Sequence, residues 1–322
     1  MDDKELGLIL KDLMSENLQE RKRTRRWGIF FKCLGFTYLA GTLAVFTLYD
    51  PKNEADKYDS YTGVVTVRGE IKDDENTGYL TINKTLRKAF EDDKTKGVIV
   101  AINSPGGSPV HSHQIYLEMQ RLQKKYPEKP LYAVVGDLAA SGGYFIAAGA
   151  KAIYADETSL VGSIGVTAAG FGFVGAMEKL GVERRNYTSG EHKSLLDPYS
   201  PEKADEVELW NAQLQRTHEQ FIEAVKSGRG ERLKADTPNL FSGLLWNATE
   251  ARAIGLIDEF GSIETVARDV IQAEHLKEFN EEPNPLSRLA DRLGASIGAG
   301  FANSAMSSVL ETFKNQAVLS NH

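Results

Sequence analysis

A single cysteine, Cys33, in 322 residues excludes an intrachain disulfide and any cysteine-built metal site, so neither a metal nor a cofactor is expected. Positive charge is also short. Thirty-eight Lys and Arg stand against 45 Asp and Glu, a formal net charge of −7, which leaves no basic footprint for nucleic acid. Histidine is scarce as well: only His111, His113, His192, His218, His275 and His322 occur, and none lies between Gly142 and Glu191. Uncharged apolar runs long enough to cross a membrane are missing except at Cys33 to Tyr49.

What is present centres on Ser141, in Leu138-Ala139-Ala140-Ser141-Gly142-Gly143-Tyr144. The apolar run Leu131 to Val135 predicts a buried strand before it, and Tyr144 to Ala150 is compatible with a helix after it. Small neighbours then leave the hydroxyl reachable at a tight strand-to-helix turn, as a nucleophile requires. A helix cap at Ser141 fits the same residues. One strand earlier, Gly97 to Ile102 runs into Asn103-Ser104-Pro105-Gly106-Gly107, a turn able to aim backbone N–H groups outward. Gly107, with the backbone at Gly142, is the candidate oxyanion hole. With histidine poorly placed, the candidate base is a lysine. Lys193 lies in the small-residue loop Thr188-Ser189-Gly190-Glu191-His192-Lys193-Ser194.

Four segments in order, Asn-Ser-Pro-Gly-Gly (103 to 107), Ala-Ala-Ser-Gly-Gly-Tyr (139 to 144), Gly-Ser-Ile-Gly-Val (162 to 166) and Ser-Gly-Glu-His-Lys (189 to 193), resemble the signal peptide peptidase A family in its short, single-repeat form. The resemblance covers about Tyr61 to Glu274. It implies the Clp protease/crotonase-like α/β fold, a ββα spiral domain with a C-terminal helical arm. It implies a serine endopeptidase in which Ser141 attacks and Lys193 takes the proton, with the Ser163 hydroxyl supporting the lysine or only satisfying its own turn. It also implies a homo-oligomeric ring in which the lysine comes from a neighbouring subunit, and substrates that are signal peptide remnants or other short hydrophobic peptides. The chemistry agrees with sharing: an ordinary lysine titrates near ~10.4, and lowering it to about 7 takes on the order of 4 kcal/mol. Nothing local desolvates Lys193, and Glu191 beside it favours the charged form.

The N-terminus predicts a place. Trp27 to Tyr49 is read as a single transmembrane anchor, with Lys32 snorkelling near its inner end. Five cations within Arg21 to Arg26 precede it, and Asp50 to Asp59 holds four acids against two lysines. The positive end stays inside, so the catalytic part would lie on the outer, periplasmic side of a bacterial cytoplasmic membrane. A cleaved signal peptide would need an unusually long charged region first. The expected organisation is a cytoplasmic segment (1–26), the anchor (27–49), a linker (50–60), a Ser/Lys peptidase domain (61–280) and a tail of unknown order (281–322).

Within the domain, strands are expected at Thr62–Arg68, Gly97–Ile102, Leu131–Val135, Ala152–Ala155, Ile164–Ala168 and Val182–Tyr187. Helices are expected at Gly78–Asp92, Val110–Tyr126, Gly142–Ala150, Val174–Leu180 and Pro201–Ser227, the last as an arm between subunits. Gly170-Phe171-Gly172-Phe173-Val174-Gly175 matches a dinucleotide fingerprint, but the acid expected about twenty residues on would be Glu191, in the lysine's loop. Two other readings stay open: a crotonase-type acyl-CoA enzyme, and a catalytically silent membrane-anchored interaction protein.

Overall fold

The computed structural model describes residues 21–42 and 57–280. The chain divides between Tyr58 and Asp59 into two units. In the first, residues 21–42 are helical. The hydroxyls of Thr37 and Thr42 donate to the carbonyls four residues back, Cys33 and Tyr38. No described helix is long and apolar enough to cross a membrane. The expected anchor is described only in part, because residues 43–49 lie outside the described residues, as does the tail at 281–322.

In the second unit, alternating β-branched runs and amphipathic helices build a mixed α/β sheet. The strands are β1 (Tyr61–Arg68), β2 (Thr95–Ser104), β3 (Leu131–Ala140), β4 (Ala152–Ala155), β5 (Leu160–Gly162), β6 (Leu245–Asn247), β7 (Glu259–Phe260) and β8 (Leu276–Glu278). Their order is β6-β5-β3-β2-β1-β8, with β4 beside β3 and β7 beside β4. Only β5 and β6 pair antiparallel. The helices are α1 (Tyr79–Glu91), α2 (Pro109–Lys125), α3 (Gly142–Ala147), α4 (Val174–Leu180), α5 (Ala204–Arg229) and α6 (Ala248–Ile254). In α1, Ile82, Leu86, Ala89 and Phe90 recur at helical spacing and bury one face against the sheet. In α2, Pro109 opens the first turn, Ser108 accepts the His111 N–H, and Ile115, Met119 and Leu122 face the core.

The feature that positions the site is a fork in β3. Its first half, Tyr132–Val135, pairs with β4, whereas its second half, Leu138–Ala140, pairs with β5. On the other flank, Ser104 of β2 is opposite Ala139 after an irregularity in register. The end of β3 is therefore held between the ends of β2 and β5, and Ser141 follows directly.

Two expected strands are absent. Residues 163–173 and 182–188 have no regular structure. The chain has left the sheet there, and a strand has no neighbour to bond: Val182 is 55% and Tyr187 90% exposed. Between Ile164 and Glu206 no residue is buried. Conversely, the short strands β5 to β8 carried no periodicity long enough to read.

The long helix α5 divides the same way. Phe221, Ala224, Val225 and Arg229 at its base are buried, while Leu209 and Trp210 stay exposed. The base is locked to α3. Phe221 stacks on Phe145 at 4.7 Å, and Gly228 lies so close to the Ala148 carbonyl that any side chain there would collide. Arg229 is fully buried, donates to the Gly255 carbonyl at 2.9 Å and pairs with Asp258 at 2.8 Å. Asp258 also accepts from Arg232 and from the Ile153 N–H.

Candidate active site

Ser141 occupies the N-cap of α3 with φ 51° and ψ −121°, and its side chain makes no capping hydrogen bond. Positive φ is costly for a residue with a Cβ, on the order of 1–3 kcal/mol. The surroundings impose it. The Ser141 N–H donates to the Gly162 carbonyl at 2.9 Å, and its own carbonyl accepts the Phe145 N–H at 2.9 Å. The capping role that the residue types allowed is thus not taken, and the hydroxyl is left for other work.

The turn 103–107 closes over this elbow. Ser104 donates from Oγ to the Gly69 carbonyl at 2.6 Å and accepts the Gly106 N–H at 3.1 Å. A side chain on Gly106 would put its Cβ 2.7 Å from that of Ser141. Gly107 has φ 147° and sits against the Ile71 carbonyl with no room for a Cβ, so only glycine fits. It forms a parallel bridge with Ile71, in which Ile71 N–H bonds the Gly106 carbonyl and Ser108 N–H bonds the Ile71 carbonyl. In that pattern the neighbours carry the bonds, so the Gly107 N–H faces the opposite side. Gly142 is on that side: a Cβ there would lie 3.3 Å from the Gly107 nitrogen. Ser112, buried in α2, backs Gly142 closely. Ile71 and Ser112 were not legible as site residues, since nothing in their local sequence marks them.

Ser163 joins the group from the β5 side. It follows Gly162, the acceptor of the Ser141 N–H, and has φ 51°. Its N–H donates to the Leu244 carbonyl at 2.7 Å, while its hydroxyl bonds no described residue. From α5, His218 Nε2 lies 3.0 Å from the Ile164 carbonyl and fixes the next residue. Behind the elbow, the Tyr144 hydroxyl donates to the Leu256 carbonyl at 2.7 Å, and burial pushes this phenol far above its ordinary range.

Lys193 is apart from this group. It is exposed, in a turn where its N–H bonds the Gly190 carbonyl at 3.2 Å. Its loop is tied instead to the first turn of α5 and to residues around α4. Leu196 N–H donates to Glu206 at 3.1 Å, and Phe173 N–H to the Pro198 carbonyl at 2.7 Å. Arg184 pairs with Asp197 at 3.3 Å and lies over Tyr199, which stacks on Phe173. The glycines of the fingerprint line an open cavity of about 1170 Å³ beside Trp210 and Leu214. No strand precedes them, so the strand-turn-helix context of a dinucleotide site is missing. Among the described residues no three His, Cys, Asp or Glu side chains are grouped to hold a metal ion.

A parallel sheet that ends on an uncapped serine at a strained turn, faced by a glycine amide, is an arrangement suited to acyl transfer. The comparisons name the kind. Residues 123–277 match the model of peptidase family S49. A protein provisionally named a protease from Methanocaldococcus jannaschii is 31% identical over 228 residues, 69% of this chain and 71% of that protein. A provisionally named signal peptide peptidase SppA from Enterococcus faecium is 33% identical over 204 residues, 63% of this chain and 58% of that protein. The chain belongs to peptidase family S49, the family of signal peptide peptidase A. A Brucella abortus protein named Na(+)/H(+) antiporter NhaA is 46% identical over 183 residues. This chain spans about a quarter of that protein's length, 25%.

Proposed function

We propose that the chain is a membrane-anchored serine endopeptidase with Ser141 as nucleophile and Lys193 as base. The observation that carries this reading is the strained, uncapped Ser141 beside the outward Gly107 N–H. Ser141 Oγ attacks the scissile carbonyl carbon while the neutral Lys193 amine takes its proton. The Gly107 and Gly142 amides hold the tetrahedral oxyanion. Collapse breaks the C–N bond, the lysine ammonium returns the proton to the leaving amine, and an acyl-enzyme remains. Water then attacks the ester with the same lysine as base, which releases the acid and restores Ser141. The Ser163 hydroxyl, bonded to nothing else described, orients the amine.

The lysine is supplied by a neighbouring copy in an oligomeric ring. The geometry of α5 supports this. The bond holding the lysine loop is at Glu206, and the contacts holding the serine elements are at His218 and Phe221. At 1.5 Å per residue these lie about 18 and 22 Å apart along the axis. Burial against another copy would also strip the ammonium of water, as a neutral base needs.

Membrane attachment rests on the helix at 21–42 with its exposed aromatic side chains, its back-bonded threonines and the cations at Arg21 to Arg26. The N-terminus is then cytoplasmic and the catalytic unit outside. Hydrophobic peptides held in the same bilayer, such as signal peptide remnants, are substrates whose local concentration tethering raises.

Mixing inactive variants tests the shared site. Ser141→Ala and Lys193→Ala proteins, each inactive alone, regain part of the activity when dissociated and reassembled together. A mixed assembly, shown by mass to contain both chains, that stays inactive would place Lys193 beside its own Ser141.

A further inference from the structure

Glu206 is the only residue between Ile164 and the middle of α5 that the protein itself encloses: it is 6% exposed, while everything from 165 to 205 is partly or fully open. An acid is an expensive residue to enclose unless its oxygens are bonded. Here both are. One oxygen accepts from Lys203 Nζ at 2.9 Å, and the other accepts the backbone N–H of Leu196 at 3.1 Å. Leu196 has φ 53°, a conformation that a branched side chain avoids without an outside restraint. The 190–197 loop has no strand or helix of its own to hold it. Its other backbone bonds, Lys193 N–H to Gly190, Leu195 N–H to His192 and Asp197 N–H to Ser194, are internal and short-range. Its end residue Asp197 also pairs with Arg184 at 3.3 Å, but Arg184 lies in the open 182–188 stretch, so the bond to Glu206 is the one that ties the loop to a helix. The Glu206 bond joins this loop, three residues from Lys193, to the rigid helix whose base is locked to the Ser141 helix.

We infer that Glu206 is a positioning residue for the catalytic lysine: its carboxylate clamps the Leu196 amide, fixes the 190–197 loop on α5, and so sets where Lys193 is presented. This rests on Lys193 being the base. A lysine on a loose loop would still reach a serine, but rarely in line with it, and misplacement of a reacting group by about 1 Å can cost on the order of a hundredfold. Glu206 bonds the lysine loop and none of the elements around Ser141, so its loss acts on turnover more than on peptide binding. The Lys203 ammonium and the Leu196 N–H hold the Glu206 carboxyl below the usual carboxylate range, so it is an ionised acceptor at neutral pH.

Two replacements separate the clamp from mere packing. Glu206→Gln keeps the length and an acceptor oxygen, whereas Glu206→Met keeps the length and helix propensity but accepts nothing. In the full-length assembled protein, Glu206→Met lowers kcat on the order of tenfold to a hundredfold with KM within about twofold. Glu206→Gln stays within about threefold of the parent, and amide exchange across 190–197 speeds up only in the Met variant. Lys203→Ala, which removes the ion pair and leaves the clamp, has near-parent kcat. If Glu206→Met assembles and turns over like the parent while Lys193→Ala is inactive, the clamp is overturned and the dyad stands. If Lys193→Ala itself keeps full activity, the dyad reading fails instead. Should Glu206→Met not assemble, exchange in the parent decides: a Leu196 amide that exchanges as fast as the open 182–188 amides overturns the clamp, and a protected one supports it.

Discussion

The two halves of the proposed chemistry are held in opposite ways. Ser141 ends the second half of β3, between Ser104 of β2 and Gly162 of β5, on a sheet whose Val98, Val100, Ala133, Ala139 and Val161 are completely buried. Lys193 lies in a stretch of some forty residues that buries nothing until Glu206. The first region is defined by its own core and can keep a strained serine in place, because the packed sheet and helices around it over-determine its backbone. The second shows Phe171, Leu180, Val182 and Tyr187 to solvent, with one clamp and one stacked cluster to shape it. A nucleophile and oxyanion hole that must be pre-formed are built from a platform. In the proposed reading, a base that must be desolvated is carried on an arm whose burial another copy would supply.

The sharpest break in this comparison is on the platform. Ser141→Ala abolishes peptide hydrolysis, a fall of about 10⁴ to 10⁶ in kcat, with circular dichroism and assembly mass unchanged. Turnover above a few per cent would move the nucleophile elsewhere. Next comes Gly107→Ala. The added methyl meets the Ile71 carbonyl, the turn swings away, and the rate falls about 10² to 10³ while Ser141→Ala remains the deeper loss. Near-parent rates would mean that the Gly107 amide does not face the oxyanion.

The latch joining arm to platform comes third. Removing Arg229 leaves the partly buried Asp258 with only Arg232 and the Ile153 N–H, so Arg229→Met costs about 2 kcal/mol in urea unfolding. Burial works to raise the Asp258 pKa, but Arg229, the Ile153 N–H and Arg232 overcome it and hold the carboxyl below the usual range. A carboxyl lowered in the folded state stabilises above its unfolded pKa, near ~3.9, and loses that contribution as pH falls through the folded value. Stability therefore drops below about pH 4, and the drop is shallower in Arg229→Met. Equal acid slopes would remove the pair from the stability of the base of α5.

The smallest effect belongs to the arm. Leu180 is 77% exposed, so Leu180→Ser changes the thermal stability of a dissociated chain by no more than about 0.5 kcal/mol. In the assembled protein the same change weakens association, read by the concentration at which mass photometry shows free chains. A shift in the dissociated chain comparable to Arg229→Met would mean that the arm packs on its own domain.

Much of the platform is legible in the amino-acid sequence. Apolar runs, helical spacing in α1 and α2, and the glycine punctuation place β1, β2, β4 and the first three helices to within about three residues, but they end β3 at Val135, short of the Leu138–Ala140 half that leads to Ser141. The segment after Gly162 was read less well. Ile164 to Ala168 and Val182 to Tyr187 have the composition of strands, but composition cannot say whether a partner strand is within reach. Ser141, Gly107, Gly142 and Ser163 lie in three short motifs, and the fold draws these four together. Lys193 stands apart from them in the described chain.

By itself, the sequence determined the family, the existence of the serine elbow and the charge pattern around the N-terminal helix, because each is written in contiguous residues whose local chemistry is decisive. Only the tertiary structure decided that Ser141 is strained and uncapped, that Ile71 turns the Gly107 amide toward Gly142, that Arg229 is buried on Asp258, and that Glu206 holds the lysine loop. Each of these joins residues far apart in the chain, or sets a backbone angle that packing imposes against local preference. Such terms depend on which atoms the fold brings within bonding distance, and no local pattern encodes that.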